Sequence, residues 1–152
     1  MLRLDHETLG QRSVPRLHEI ERGAVRKFSA ALGFQQKSIY VSVDEAKQAG
    51  YRDLVAPPTF AVTLLPWEMP GVELPSAGVL HGEQEFEWDL PICAGDRVVV
   101  TGWVDEVKSR SGQSGHMTLI TIASEAALES GEPLFRARAL LVVTEEAENG
   151  SR

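Results

Sequence analysis

One cysteine in 152 residues, Cys93, rules out an internal disulfide, and the four histidines are too scattered to join it in the ligand spacing of a structural zinc site. No metal or other cofactor is expected, and a reducing cytoplasm suits this cysteine usage. Positive charge is also scarce. Fifteen Lys and Arg against 22 Asp and Glu leave a formal net charge of −7, the wrong sign for a protein that must neutralise many phosphates, so nucleic acid is excluded as the expected partner. No apolar run reaches the roughly 18 residues of a membrane helix, and the opening MLRLDHETLG has acids where a secretory signal would be apolar. The expectation is a chain that neither spans a membrane nor is exported. Internal repeats are absent too.

What is present is a hydrophobic fraction of 43%, enough for one domain of this length to enclose a core. The pattern changes near residue 78, from helical and irregular before it to strand-like after it, which points to α+β rather than alternating βαβ units. RLHEIER, at 16–22, reads as a short edge strand. Val25, Phe28, Ala31 and Leu32 recur at helical spacing up to a stop at Gly33. Asp44 stands before EAKQA as a cap for a second short helix that Gly50 ends. Residues 1–144 are read as one domain, and the charged tail 145–152 as disordered.

Between Ala56 and Gly71, APPTFAVTLLPWEMPG allows about two turns of helix, since Pro58 suits only a first turn and Pro66 must end or kink the segment. Phe60, Ala61, Val62, Leu64 and Leu65 leave this helix almost no polar face, so it must be buried. From Leu80 to Trp88, the even positions Leu80, Gln84, Phe86 and Trp88 alternate with His81, Glu83, Glu85 and Glu87, the period of a strand with one dry face. Further strands are expected at 97–107, 116–128 and 133–144, joined by the SRSGQSG loop and a tight turn at 130–132. A long antiparallel sheet curled around one apolar helix is the hotdog architecture.

Several strings are more specific than these patterns. GAVRKFSAALG, EAKQAGYRDLVAPPTFAV, LHGEQEFEWDLPICAGDRVVVTGWV and LFRARALLVV, read together over about 17–144, resemble the MaoC-like dehydratase domains of the N-terminal, FAS1-like type. The resemblance implies a hotdog fold acting on acyl-CoA or acyl-carrier-protein thioesters. It also implies a homodimer, or a heterodimer with a catalytic hotdog subunit. The family reaction is reversible loss of water from a (R)-3-hydroxyacyl thioester, for which a carboxylate and an imidazole move the protons and amide donors hold the thioester oxygen.

Active relatives carry that acid/base pair in a D-x-N-P-x-H stretch, and here the corresponding segment reads GFQQKSIY, at 33–40. Phe34 falls at the Asp position and Ile39 or Tyr40 at the His position. Neither catalytic group is present, although Tyr40 can donate a hydrogen bond. Active relatives begin the central helix with His-Gly, where this chain has Pro57-Pro58, and proline has no amide hydrogen to offer. Thr59, next along, still brings an amide and a hydroxyl.

His81 is the candidate substitute base, weighed against a solvated histidine on a polar strand face. Gln84, on the dry face, is expected to bond backbone near the central helix. Tyr40, Pro58, Thr59, Phe60 and Gln84 are the candidate substrate-binding residues. Asp89 stands where relatives often carry His, and Arg136 and Arg138 are read as solvent-facing unless a ligand phosphate reaches them. SRSGQSGH lacks the Gly-Lys-Ser/Thr ending of a phosphate loop. The leading expectation is an acyl-binding subunit that needs a catalytic partner. The alternatives are a self-sufficient dehydratase or hydratase using His81, and a hotdog acyl thioesterase.

Overall fold

The computed structural model describes residues 1–112 and 115–144. In chain order these form β1 (Arg3–Leu4), β2 (Arg16–Glu19), α1 (Arg22–Ala31), α2 (Val43–Gln48), a 3-10 helix (Pro58–Leu64), β3 (Val72–Glu73), β4 (Val79–Trp88), β5 (Arg97–Gly112), β6 (Gly115–Leu128) and β7 (Pro133–Thr144). The strands β2-β5-β6-β7-β4, in that order, make one sheet in which every neighbouring pair is antiparallel, and β1 pairs with β3 beside it. The tail expected after Thr144 lies outside the described residues.

Facing residues of an antiparallel pair share a face, so the register sorts the side chains. Val98, Val100, Val104, Ile120, Ile122, Ala126, Phe135, Ala137, Leu141 and Val143 fall on one side, and all are buried. Phe60, Ala61, Leu64 and Leu65 of the central helix are buried with them, which is the enclosure that the dry helix required. Phe60 meets Phe28 of α1 edge to face at 5.4 Å between ring centres. Gly102 lies beneath the segment after the helix. A methyl group there would stand 2.7 Å from Pro66 Cγ and 3.0 Å from Met69 Cε, so the close approach of this segment to the sheet depends on the missing side chain.

Four local expectations need correction. The central helix is 3-10 in form: Phe60 N–H donates to the Pro57 carbonyl at 2.8 Å, three residues back, because two prolines remove the amides that would begin an α-helical ladder. The cap of α2 is Ser42, whose hydroxyl accepts from Glu45 N–H at 3.3 Å, and Asp44 sits inside the first turn. The β5–β6 hairpin is longer than expected, its strands taking in Ser109–Gly112 of the proposed loop, while 113–114 lie outside the described residues.

The fourth correction concerns β4. A bulge between His81 and Glu83 sets two residues, Gly82 and Glu83, against Leu140. His81 therefore faces Leu141 and Gln84 faces Ala139, both on the buried side of β7, while Leu80 turns outward and is 59% exposed. The alternation read from sequence holds from Glu83 onward and is reversed before it.

Candidate functional site

GYRDL is held by two ion pairs. Arg22, in the first turn of α1, donates through Nε to Asp53 Oδ1 at 3.1 Å, while Asp53 also accepts from Leu54 N–H at 2.7 Å. The Arg22 guanidinium holds the Asp53 carboxyl below its ordinary range. Arg52 grips Asp96 with both ends of its guanidinium, the Nε contact at 2.8 Å, and Asp96 accepts from Cys93 N–H at 2.7 Å. The Asp96 side chain is only 7% exposed. The pair thus joins the GYRDL string to the AGD turn, 44 residues away.

Backbone bonds complete the join: Ala56 N–H donates to Ile92 C=O and Ala94 N–H to Leu54 C=O, both at 2.8 Å. Val55 N–H reaches the Ile39 carbonyl at 3.1 Å, which brings in the loop after α1. These three segments and the end of β4 surround a cavity of about 270 Å³ lined by Ile39, Tyr40, Tyr51, Val55, Ala56, Pro58, Trp88, Asp89, Leu90, Pro91 and Ile92. Most of the lining is hydrocarbon or aromatic ring. The polar groups are the phenols of Tyr40 and Tyr51, the indole N–H of Trp88 and the Asp89 carboxylate; among the described residues no imidazole lines it. Phe34 stacks on Tyr40 with ring centres 4.5 Å apart, at a tilt of 41°.

The candidate residues divide into three groups. Tyr40 and Pro58 line the cavity together. Thr59 is exposed at the start of the 3-10 helix, next to Pro58, whereas Phe60 is 6% exposed within the core. His81 and Gln84 form a separate cluster: His81 Nε2 lies 3.1 Å from Gln84 Oε1, and Trp67 approaches the imidazole edge to face at 6.2 Å. The Gln84 amide donates to the carbonyls of Glu85 and Arg138, both at 3.2 Å, so its backbone partners are strands and not the central helix that was expected. Glu83 and Glu85, expected to share a face with His81, lie on the opposite face because of the bulge.

Tyr51, Trp88, Leu90 and Ile92 were missed as lining residues. The signal for them was the GY and WDLPI strings that flank the helix start and the end of β4, each of which reads as packing until the fold joins them. Arg136 and Arg138 face outward and pair with Glu87 and Asp105. Cys93 is fully buried, and burial pushes its thiol up from the ordinary value, away from nucleophilic use. Among the described residues, no three His, Cys, Asp or Glu side chains gather as metal ligands, and no helix is long and apolar enough to cross a membrane.

A five-stranded antiparallel sheet closed over a short apolar helix, with a cavity at that helix's start, defines a hotdog-fold protein of the MaoC-like dehydratase type. Residues 7–137 match the family described as FAS1-like, dehydratase domain region, and the chain belongs to that family. A UPF0336 protein of Saccharopolyspora erythraea is 35% identical over 153 residues, spanning 96% of this chain and 95% of the relative. UPF0336 protein SCO4636 of Streptomyces coelicolor is 32% identical, spanning 91% of this chain and 94% of the relative. Among solved structures, the C-terminally truncated HadBC (3R-hydroxyacyl-ACP dehydratase) complex of Mycobacterium tuberculosis superposes with a TM-score of 0.72 at 21% identity, over 89% of this chain and 96% of that one. The ChsH1-ChsH2 complex of the same organism gives 0.70 at 18%, over 89% and 85%. The (R)-hydratase of A. caviae involved in PHA biosynthesis gives 0.66 at 16%, over 89% and 96%. At these identities the structural likeness establishes the fold.

Proposed function

We propose that this chain is the acyl-binding subunit of a (R)-3-hydroxyacyl-thioester dehydratase or enoyl-thioester hydratase, and that a second hotdog chain supplies the acid/base pair. The observation that carries the reading is the lining of the 270 Å³ cavity, which is mostly apolar, with two phenols, one indole and one carboxylate but, among the described residues, no imidazole. Such a surface holds an acyl chain. Phenol hydroxyls can donate to a thioester oxygen, but reversible hydration also needs a base that takes a proton from water as its oxygen bonds to the β-carbon and an acid that delivers a proton to the α-carbon, the two roles reversing in dehydration. By the resemblance, the Asp position of active relatives falls on Phe34 and the His position on Ile39 or Tyr40, and Phe34 stacks on Tyr40. Pro57 and Pro58 add a second deficit, since one missing oxyanion donor costs on the order of a hundredfold to a thousandfold in rate. The HadBC and ChsH1-ChsH2 complexes support a partner because each pairs two different chains by name. The acyl group is carried as a thioester of CoA or of acyl-carrier protein, in the reducing cytoplasm that the cysteine usage suits.

A second reading rests on the bulge in β4. It turns His81 inward beside Gln84, so an imidazole oriented by an amide stands on the inner face of the sheet edge. In that reading His81 is the base of a self-sufficient hydratase. Binding separates the cavity from other sites: butyryl-CoA, a thioester with no double bond to hydrate, should bind the isolated chain, and Trp88→Ala should weaken it at least tenfold. Binding that ignores both Trp88→Ala and Tyr40→Ala would place the acyl group elsewhere.

A further inference from the structure

A cavity that takes a thioester must also hold its oxygen, and a common donor for such an oxygen is a backbone amide at a helix start. That source is closed here. Pro57 and Pro58 have no amide hydrogen, Phe60 N–H donates to the Pro57 carbonyl at 2.8 Å, and Thr59 is exposed and does not line the cavity. Elsewhere in the lining, the amides of Val55, Ala56, Asp89 and Leu90 are spent on carbonyls of Ile39, Ile92 and Leu134, and those of Tyr40 and Tyr51 on Ser38 Oγ and the Ala46 carbonyl. The side-chain donors are the hydroxyls of Tyr40 and Tyr51 and the indole N–H of Trp88. All three residues are half-buried, and none of these donors bonds to another protein group among the described residues. Phenols and indoles in apolar surroundings ordinarily find an acceptor.

The three donors differ in how they are held. Tyr51 has the firmest seat: its N–H donates to the Ala46 carbonyl at 2.9 Å across the end of α2, and the next two residues, Arg52 and Asp53, are clamped to Asp96 and Arg22. The same segment runs on through the buried Val55 and Ala56 to Pro58, so the phenol and the helix start that lacks an amide open into one cavity. Tyr40 instead stacks on Phe34, which is 39% exposed, and this sets its ring toward the rim, where water serves its hydroxyl. Trp88 packs on Phe86 and Phe135, with 5.7 and 5.1 Å between ring centres, and forms apolar wall. We infer that Tyr51 is the residue that recognises the thioester group, its hydroxyl donating to the thioester oxygen in place of the amide that Pro58 lacks. The assignment rests on the acyl-binding reading above and names the specificity residue within it. One neutral hydrogen bond is worth about three- to tenfold in affinity. It acts on the carbonyl oxygen alone, so it separates a thioester from the thioether of the same chain and carrier, which has no such oxygen.

Calorimetric binding of butyryl-CoA and of its thioether counterpart, S-butyl-CoA, to the full chain tests this. The unaltered chain should prefer the thioester by about three- to tenfold, and Tyr51→Phe should remove that preference by weakening butyryl-CoA alone. Butyryl-CoA labelled with carbon-13 at its carbonyl gives a second readout, which a merely structural role would not move: its carbonyl stretch should fall in frequency on binding to the unaltered chain and stay at the value of the free ligand with Tyr51→Phe. Tyr40→Phe and Trp88→Phe should affect both ligands alike, keeping the preference and the frequency shift. Equal binding of the two ligands by the unaltered chain would overturn the inference, as would a Tyr51→Phe variant that keeps the preference and the shift, or their loss in Tyr40→Phe. Failure of the acyl-binding reading would look different: neither ligand would bind the unaltered chain, and the assignment of Tyr51 would fall with it.

Discussion

Asp96→Ala is the substitution that strains the architecture most directly, because one carboxylate joins two segments that shape the cavity. Its side chain is 7% exposed, receives both ends of the Arg52 guanidinium and accepts from Cys93 N–H at 2.7 Å. Truncation leaves a buried amide unpaired, which costs about 1–3 kcal/mol, and removes charge-assisted bonds of similar worth. Arg52 is 46% exposed and can turn to water, so the sum lies below the full cost of orphaning a buried charge, at about 3 kcal/mol. For a chain of 152 residues that lowers Tm by about 6–12 °C. Asp96→Asn keeps an oxygen for the Cys93 amide and should cost about half as much. The assay is thermal and urea unfolding of both variants beside the unaltered protein. Asp96→Ala should also weaken butyryl-CoA binding, since Ile92 and Ala56 meet at the cavity wall that this turn anchors. A loss under about 1 kcal/mol, or Asn costing as much as Ala, would refute the reasoning.

Gly102→Ala forces a methyl group to within 2.7 Å of Pro66 and should cost about 1–3 kcal/mol in urea unfolding, more than Gly23→Ala, where the new group meets nothing within 4 Å. His18, on the inner side of β2, has a buried Nε2 with no hydrogen-bond partner among the described residues, and burial together with Arg16 lowers its pKa below the ordinary 6.5 against the opposing pull of a backbone bond to Leu64. The folded state therefore binds that proton less readily than the unfolded chain, so His18's contribution to stability is complete above about pH 6.5 and is lost as pH falls through the lower folded value. His18→Gln should flatten stability over that window, and an NMR titration of the ring should give a midpoint below 6.5. The Cys93 thiol, buried and raised, should resist thiol reagents at pH 8 in the native protein and react at once in denaturant; rapid native labelling would contradict its burial.

The sheet was legible because its strands are long, rich in strand-forming residues and bounded by turn signals, and the central helix because prolines bracket a run with hardly any polar side chain. The reversed half of β4 was not, since a bulge adds one residue without altering composition; Gly82 in mid-strand was its only mark. β1 and β3, of two residues each, are too short to have a period. Tyr40 and Pro58 emerged from the resemblance to a known family, and the fold brings them to one cavity. Tyr51 and Asp89 join them through contacts that local pattern cannot reveal: the Arg52–Asp96 pair across 44 residues, and the Asp89 N–H bond to the Leu134 carbonyl.

Hydration of a crotonyl thioester tests the central claim most directly, measured for the isolated chain, for its His81→Ala variant, and for each mixed with a hotdog subunit that carries an intact D-x-N-P-x-H stretch and complements it. The isolated chain should turn over at least a hundredfold more slowly than the mixture. His81→Ala should leave the mixture's rate within a few-fold. Rapid hydration by the isolated chain, abolished by His81→Ala and indifferent to the added subunit, would contradict the account and make His81 the catalytic base.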